Sequence, residues 1–191
     1  MRNKIVWLGL GIIAVLCIAL FVTNFHLANS ETQTNATTVS SRWPSEASVP
    51  PQTVPYRIEG DGPLAVALRE ALSQKLMNAQ PAADTAVPQL IVRIDQANIN
   101  WTPVHGRAEI MTTAAFSSNG DFAFMAAEPT YFQFNDDDDA GAGFIVQAAS
   151  EISLTDKSTG LLSHPGYHQL LADKLAEEIN KALQTNIFAA P

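Results

Sequence analysis

His164 and His168 stand four residues apart, a spacing that puts two imidazoles on one helical face and lets them hold a metal ion together. Pro165-Gly166 between them marks a helix entry, so the same pair also reads as polar residues at the start of a helix. No third ligand is evident nearby. Residues 136–139 are four consecutive aspartates. They offer oxygen donors suited to Ca²⁺, but the spaced D-x-D-x-D-G pattern is missing and adjacent like charges repel, which favours a solvated loop. Hydrolysis needs a nucleophile, a base and an orienting acid that converge. Only His105, His164 and His168 lie beyond the N-terminal segment, and no serine carries a GxSxG context. P-loop and GxGxxG patterns are absent, and Gly141-Ala142-Gly143 is a short flexible pair without the third glycine. The expectation is a protein without catalytic residues, bound metal or cofactor. A metal-dependent envelope enzyme using His164, His168 and the aspartate run is the alternative.

Contact residues are the next candidates. Phe122 and Phe124 alternate on one face and belong in a core, whereas Tyr131, Phe132 and Phe134, beside Pro129 and the aspartates, suit a contact loop. Gly62 and Pro63, which open a helix, are the other candidate partner-binding residues.

These residues need a scaffold, and its placement is written at the N-terminus. Residues 5–22 form an uncharged apolar run behind Arg2 and Lys4. Eighteen helical residues span roughly 27 Å, close to the thickness of a hydrocarbon core. This length exceeds the apolar core of a signal peptide and predicts an uncleaved single-pass anchor in the cell membrane, with Arg2 and Lys4 in the cytoplasm. The competing reading is cleavage after Ser30, behind Ala28-Asn29, which would release a secreted soluble binding domain. Either way the C-terminal part lies in the periplasm or otherwise outside the cytoplasm. Cys17 is the only cysteine, which excludes an internal disulfide framework and a Cys-rich zinc site.

The domain expectation is an anchor or signal segment over residues 1–27, a flexible Ser/Thr/Pro-rich linker over 28–55 and a folded domain over 56–188. Pro44, Pro50, Pro51 and Pro55 would stiffen the linker and hold the domain away from the membrane. The net charge of −8 leaves no basic stripe for nucleic acid. Residues 31–191 carry nine basic and nineteen acidic side chains, a balance repelled by anionic head groups, so the domain is not expected to lie flat on a bilayer.

Leu64, Leu68, Leu72 and Leu76 recur every four residues behind Asp61-Gly62-Pro63 and predict a helix. Leu90, Val92 and Ile94 alternate on one face, then Ala97, Ile99 and Trp101 in the opposite phase, which predicts a strand with a bulge near Asp95. Residues 108–116 and 122–126 alternate around Asn119-Gly120 and suggest a hairpin. Residues 144–155 read as a further strand, residues 156–160 as a turn with a short return strand behind it, and Leu171, Leu175, Ile179 and Leu183 as the stripe of a second helix. The fold class is therefore α+β: an antiparallel sheet of about four strands with two helices on one face, preceded by a transmembrane helix.

Gly60-Asp61-Gly62-Pro63-Leu64 opening a helix, Val87-Pro88-Gln89-Leu90 opening a long strand and a closing helix over residues 170–183 carry a family resemblance. Across most of residues 58–185 the chain resembles small bacterial envelope proteins, the lipopolysaccharide-assembly lipoproteins that plug an outer-membrane translocon barrel. Asp156-Lys157-Ser158-Thr159-Gly160 looks like the D-x-x-T-G turn of auxiliary lipoproteins of lipid-transport ABC systems. The resemblance implies a non-enzymatic adaptor in lipopolysaccharide assembly or lipid transport, whose partner is an envelope protein or lipid, such as lipopolysaccharide or an outer-membrane barrel. Those relatives are tethered by a lipidated cysteine. Here Leu16 stands where their pattern has Gly, Ala or Ser, and the apolar run continues past Cys17, so the inner membrane is the bilayer expected to hold residues 5–22.

Overall fold

The computed structural model describes residues 11, 14, 15, 18, 20–43, 54–76, 79–82, 88–126 and 145–188. The elements run β1 (His26–Trp43), β2 (Val54–Glu59), α1 (Pro63–Lys75), β3 (Ala79–Pro81), β4 (Leu90–Thr102) and β5 (His105–Ser117). A 3-10 turn (Ala123–Ala126), β6 (Ile145–Leu162) and α2 (His164–Leu183) with a π-helical extension (Gln184–Phe188) complete the order. The strands form one six-stranded sheet in the order β1-β6-β5-β4-β2-β3. The α+β class holds, but the sheet is mixed and larger than expected: β2 runs parallel to both β3 and β4, while the other pairings are antiparallel.

Both helices cover one face of the sheet. Leu64, Leu68 and Leu72 of α1 and Leu171, Leu175 and Ile179 of α2 share a single core with Tyr56, Leu90, Ile110, Ile152 and Leu154 from the strands. Full burial of each such leucine contributes roughly 1.5–3 kcal/mol. The alanines between them, Ala65, Ala67, Ala71, Ala172 and Ala176, are also buried and let the helices approach each other and the sheet closely. The phase change in β4 is present as expected: the pairing with β5 shifts register between Ile94 and Gln96. This leaves Asp95 as the extra residue, held by Arg93 and Thr113 at 2.6 Å each.

Three expectations are corrected. First, residues 28–55 do not form a linker throughout. β1 occupies 18 residues of the sheet edge and pairs with β6 in continuous register from His26↔Leu162 to Trp43↔Ile145. Its composition is polar because main-chain pairing and hydroxyl hydrogen bonds hold it: Thr34 donates to Glu178 on α2 at 3.0 Å, and Thr38 meets Ser150 at 2.8 Å. Second, residues 156–160 are not a turn, since β6 runs straight through them. The inward residues there, Asp156 and Ser158, are polar and buried, so the apolar alternation stops while the strand continues. Gly160, at φ 135°, marks a close approach and not a reversal: a Cβ there would lie 2.7 Å from the Ala28 Cα. Third, Asn119-Gly120 does turn the chain, with Gly120 at φ 76°, but the element after it is a 3-10 turn and not a strand. That turn packs Phe124 on Ala115 and Ala149, on the face opposite the helices. The hairpin that does form joins β4 to β5 through Pro103-Val104, closed by Thr102, whose hydroxyl accepts from the His105 N–H at 2.9 Å.

Among the described residues no helix is long and apolar enough to cross a membrane. Most of residues 5–22, where a spanning helix is expected, lie outside the described set; Gly11, Ala14, Val15, Ile18, Leu20, Phe21 and Val22 are helical.

The contact between α2 and β5 leaves no room for a side chain at Gly106. A Cβ there would stand 2.5 Å from the Tyr167 Cζ, and Tyr167 is fully buried. Gly106→Ala is expected to lower stability by about 1–3 kcal/mol through overpacking, despite the better strand propensity of alanine. Urea unfolding of the detergent-solubilised chain, followed by circular dichroism, measures this; an unchanged midpoint would show that the Tyr167 ring moves freely.

Candidate functional site

One end of the sheet gathers the start of β1, the end of β6, the β4–β5 hairpin and the first turn of α2. The hairpin is tied to β6 by main-chain bonds, Gly160 N–H to Val104 O at 3.1 Å and Leu162 N–H to Pro103 O at 2.9 Å. Phe25, the residue before β1, is fixed on both sides by Ser163, the N-cap of α2. The Phe25 N–H donates to Ser163 Oγ at 2.9 Å, and the Phe25 carbonyl accepts from Ser163 Oγ at 2.8 Å and from the Ser163 N–H at 3.1 Å. Ser163 Oγ also accepts from the Gly166 N–H at 3.1 Å, so one hydroxyl both caps the helix and clamps the chain entering the sheet.

Thr23, Asn24 and Phe25 alone separate β1 from the helical residue Val22. The end of that helix touches the domain directly. The Phe21 ring lies edge-on to Trp101 at 5.3 Å and beside His164 at 6.1 Å; Trp101 stands 5.2 Å from His164, and His164 4.4 Å from His168.

Behind this cluster lies a buried polar network. Asp156 has no exposed surface and accepts from Thr32 of β1 at 2.7 Å, Ser158 of β6 at 2.8 Å and Tyr167 of α2 at 2.9 Å. Ser158 also shares a hydrogen bond with Ser30. Burial, then the charge of Asp156 beside it and the hydrogen bond to it, push the Tyr167 phenol well above its ordinary value. Tyr167 is therefore a fixed donor rather than an acid available for chemistry.

The opposite feature of β1 is its free side. β1 ends the sheet order, so among the described residues its ladder is paired on the β6 side alone, and its other edge, 18 residues long, carries no further strand. Its outward side chains, Asn29, Glu31, Gln33, Asn35 and Thr37, are exposed.

The histidine pair is indeed helical and its rings are close, but Nδ1 of His168 is engaged by the His164 carbonyl at 2.9 Å. Among the described residues no group of three or more His, Cys, Asp or Glu side chains could hold a metal ion. Gly62 and Pro63 lie exposed at the start of α1, Gly62 as its N-cap with φ 92° and no side-chain cap. They are remote in the sheet order from β1. Tyr131, Phe132, Phe134 and residues 136–139 lie outside the described residues. Of the residues that organise this end, Phe25, Ser163 and Tyr167 carry no sequence pattern that singles them out, and Asp156 stands out only as the start of an expected turn. Ser163-His164-Pro165 is a recognisable N-cap followed by proline, but nothing local pairs Ser163 with Phe25. The chain matches no protein-family model and no curated protein.

Asp156→Ala strips the acceptor from three hydroxyls and is expected to cost roughly 3 kcal/mol, with amide exchange of β1 accelerated around residues 28–34; unchanged exchange in β1 would show that the ladder alone holds the strand. Burial, the largest cause, lowers the His168 imidazole from its ordinary 6.5; its bond to the His164 carbonyl opposes this and the charge on His164 adds to it. The unfolded chain thus binds this proton more readily, so the contribution is complete above about pH 6.5 and is lost as pH falls through the lower folded value. Urea midpoints between pH 7.5 and 5 should fall for the parent protein and fall less for His168→Gln.

Proposed function

We propose that the chain is a single-pass adaptor of the cell envelope, held in the inner membrane by residues 5–22, whose extracytoplasmic domain binds a partner by adding the partner's strand to the free edge of β1. The observation that carries the reading is the length of that edge, 18 residues, without proline or lysine over residues 26–43. Those are the residues that usually guard an edge against pairing. Main-chain recognition of this kind draws affinity from the ladder and specificity from alternate side chains, here Asn29, Glu31, Gln33, Asn35 and Thr37.

Retention of the N-terminal segment is supported by the join itself. Cleavage after Ser30 would remove Phe25, and with it the clamp on Ser163, together with the first five residues of β1. The resemblance to lipopolysaccharide-assembly lipoproteins and to lipid-transport auxiliaries supports an envelope-assembly or lipid-transport component as the partner. Binding, with no chemical step, is the proposed activity.

Photo-crosslinking residues placed at Asn35 or Thr37 of the full-length chain, in its native envelope, test this. Adducts with an envelope protein are expected at both positions and not at Ser73, an exposed residue of α1, nor with residues 1–27 alone. Equal capture at Ser73, or none at β1, would sink the edge-strand reading.

A further inference from the structure

Among the described residues of the domain, Val66 and Met111 are exposed apart from the others and Val39 flanks the small cluster around Ala149 and Phe124, but three exposed apolar side chains gather at the end of the sheet where Phe25 enters: Leu27 at 73%, Val104 at 52% and Leu161 at 45% exposure. Leu27 and Leu161 are directly paired across β1 and β6, and Val104 is bonded to the neighbouring Gly160. Leu27 and Leu161 thus form an exposed pair at this end, and the chain from Leu27 back to Phe21 and Val22, which are themselves 60% and 73% exposed, is only a few residues long. Scattered apolar residues need no explanation, whereas a cluster close along the chain to an apolar segment does.

We infer that this end of the domain is seated in the head-group layer of the same bilayer that holds residues 5–22, with Leu27, Leu161 and Val104 as its lipid contacts. The inference rests on the anchor reading and adds where the domain stands. Three joining residues reach at most about 11 Å when extended, and the Phe25–Ser163 clamp shortens that reach. Phe21 is near the end of an apolar run that itself spans nearly the whole hydrocarbon core, so Trp101, packed on Phe21 at 5.3 Å, falls within the ~5–8 Å of head groups beyond the core. Tryptophan is the residue most suited to that layer.

The outward face of the sheet is graded in the same direction. The leucine row comes first. About 7 Å further along the strands comes a polar row, Asn29, Thr159 and His105, and about 7 Å beyond that a row of Glu31, Lys157 and Arg107. In that row Glu31 stands opposite Lys157 and Arg107 is paired with Glu109 at 2.9 Å, so the charges are matched within the protein and lie beyond the head-group layer. No carboxylate stands in the first two rows. All four histidines, His26, His105, His164 and His168, also lie at this end. The contact is end-on, which agrees with an acidic domain that does not lie flat.

The test uses the full chain carrying Cys17→Ser, with single cysteines labelled by an environment-sensitive fluorophore, in vesicles of phosphatidylcholine and phosphatidylglycerol. Val104→Cys and Leu161→Cys report the proposed contact, Val66→Cys on α1 is the exposed control, and Ala14→Cys reports the apolar segment. Lipids bearing a shallow nitroxide should quench positions 104 and 161 about twofold or more over position 66, and a deep nitroxide should quench position 14. Quenching at 14 with positions 104 and 161 no more quenched than 66 would overturn the seating and leave the anchor standing. No quenching at 14 would overturn the anchor reading, and the seating with it.

Discussion

A carboxyl group shut away from solvent, that of Asp156, joins three elements that are far apart in sequence. It takes a hydroxyl from Thr32 on β1, one from Ser158 on β6 and one from Tyr167 on α2. A buried acceptor of this kind is costly to leave unsatisfied and therefore selective about what surrounds it. Only one register of β1 against β6 brings Thr32 opposite Asp156, and only one seating of α2 over Gly106 brings the Tyr167 hydroxyl to it. β1 has almost no apolar surface to contribute, so this polar contact, repeated in weaker form by Thr34 and Thr38, is what specifies its position. The main-chain ladder supplies the adhesion, and the carboxyl supplies the register.

Fixing β1 also fixes the chain before it. Once His26 is opposite Leu162, Phe25 is beside Ser163, and the hydroxyl that caps α2 closes around it. The apolar segment is thus attached to a rigid corner of the fold rather than to a loose tether. The Phe21 ring just before that corner rests on Trp101 and on His164 of α2. The buried network and the clamp are consequently one device, with Tyr167 and Ser163 four residues apart on the same first turn of α2.

How far this was legible in the sequence depends on what each segment uses for cohesion. Leu64, Leu68 and Leu72, and Leu171, Leu175, Ile179 and Leu183, bury apolar stripes at helical spacing, and both helices were readable. The reversal of phase around Asp95 was readable too, because apolar residues flank the bulge on both sides. β1 was not, since a strand held by main chain and hydroxyls has the composition of a tether. The end of β6 is hidden for the same reason: Asp156 and Ser158 occupy inward positions that apolar residues fill elsewhere in the strand, and Gly160 mimics a turn while serving the close approach of Ala28. At the candidate site, His164 and His168 were visible because their spacing is local. Ser163 and Phe25 were invisible because their separation of 138 positions leaves no trace in either neighbourhood.

The polarity that hid β1 also makes it usable as a docking edge. A long unguarded edge rich in leucine or valine would pair with any exposed strand, its own copies included, and would aggregate. Asn29, Glu31, Gln33, Asn35 and Thr37 lie between Leu27 and Val39 on the outward face of β1 and keep its solvation favourable when the edge is empty, so the proposed pairing would select a strand whose ladder and alternate side chains both match. Eighteen residues give an edge of roughly 55–60 Å, of which the part nearest Leu27 is closest to the apolar segment. A partner strand paired along that edge, as proposed, would stand at a distance and orientation from the apolar segment set by the clamp. Restricting a partner's approach in this way raises the effective concentration of the correct pairing without adding a contact. A rigid joint therefore serves a strand-pairing adaptor better than the flexible linker its composition suggests.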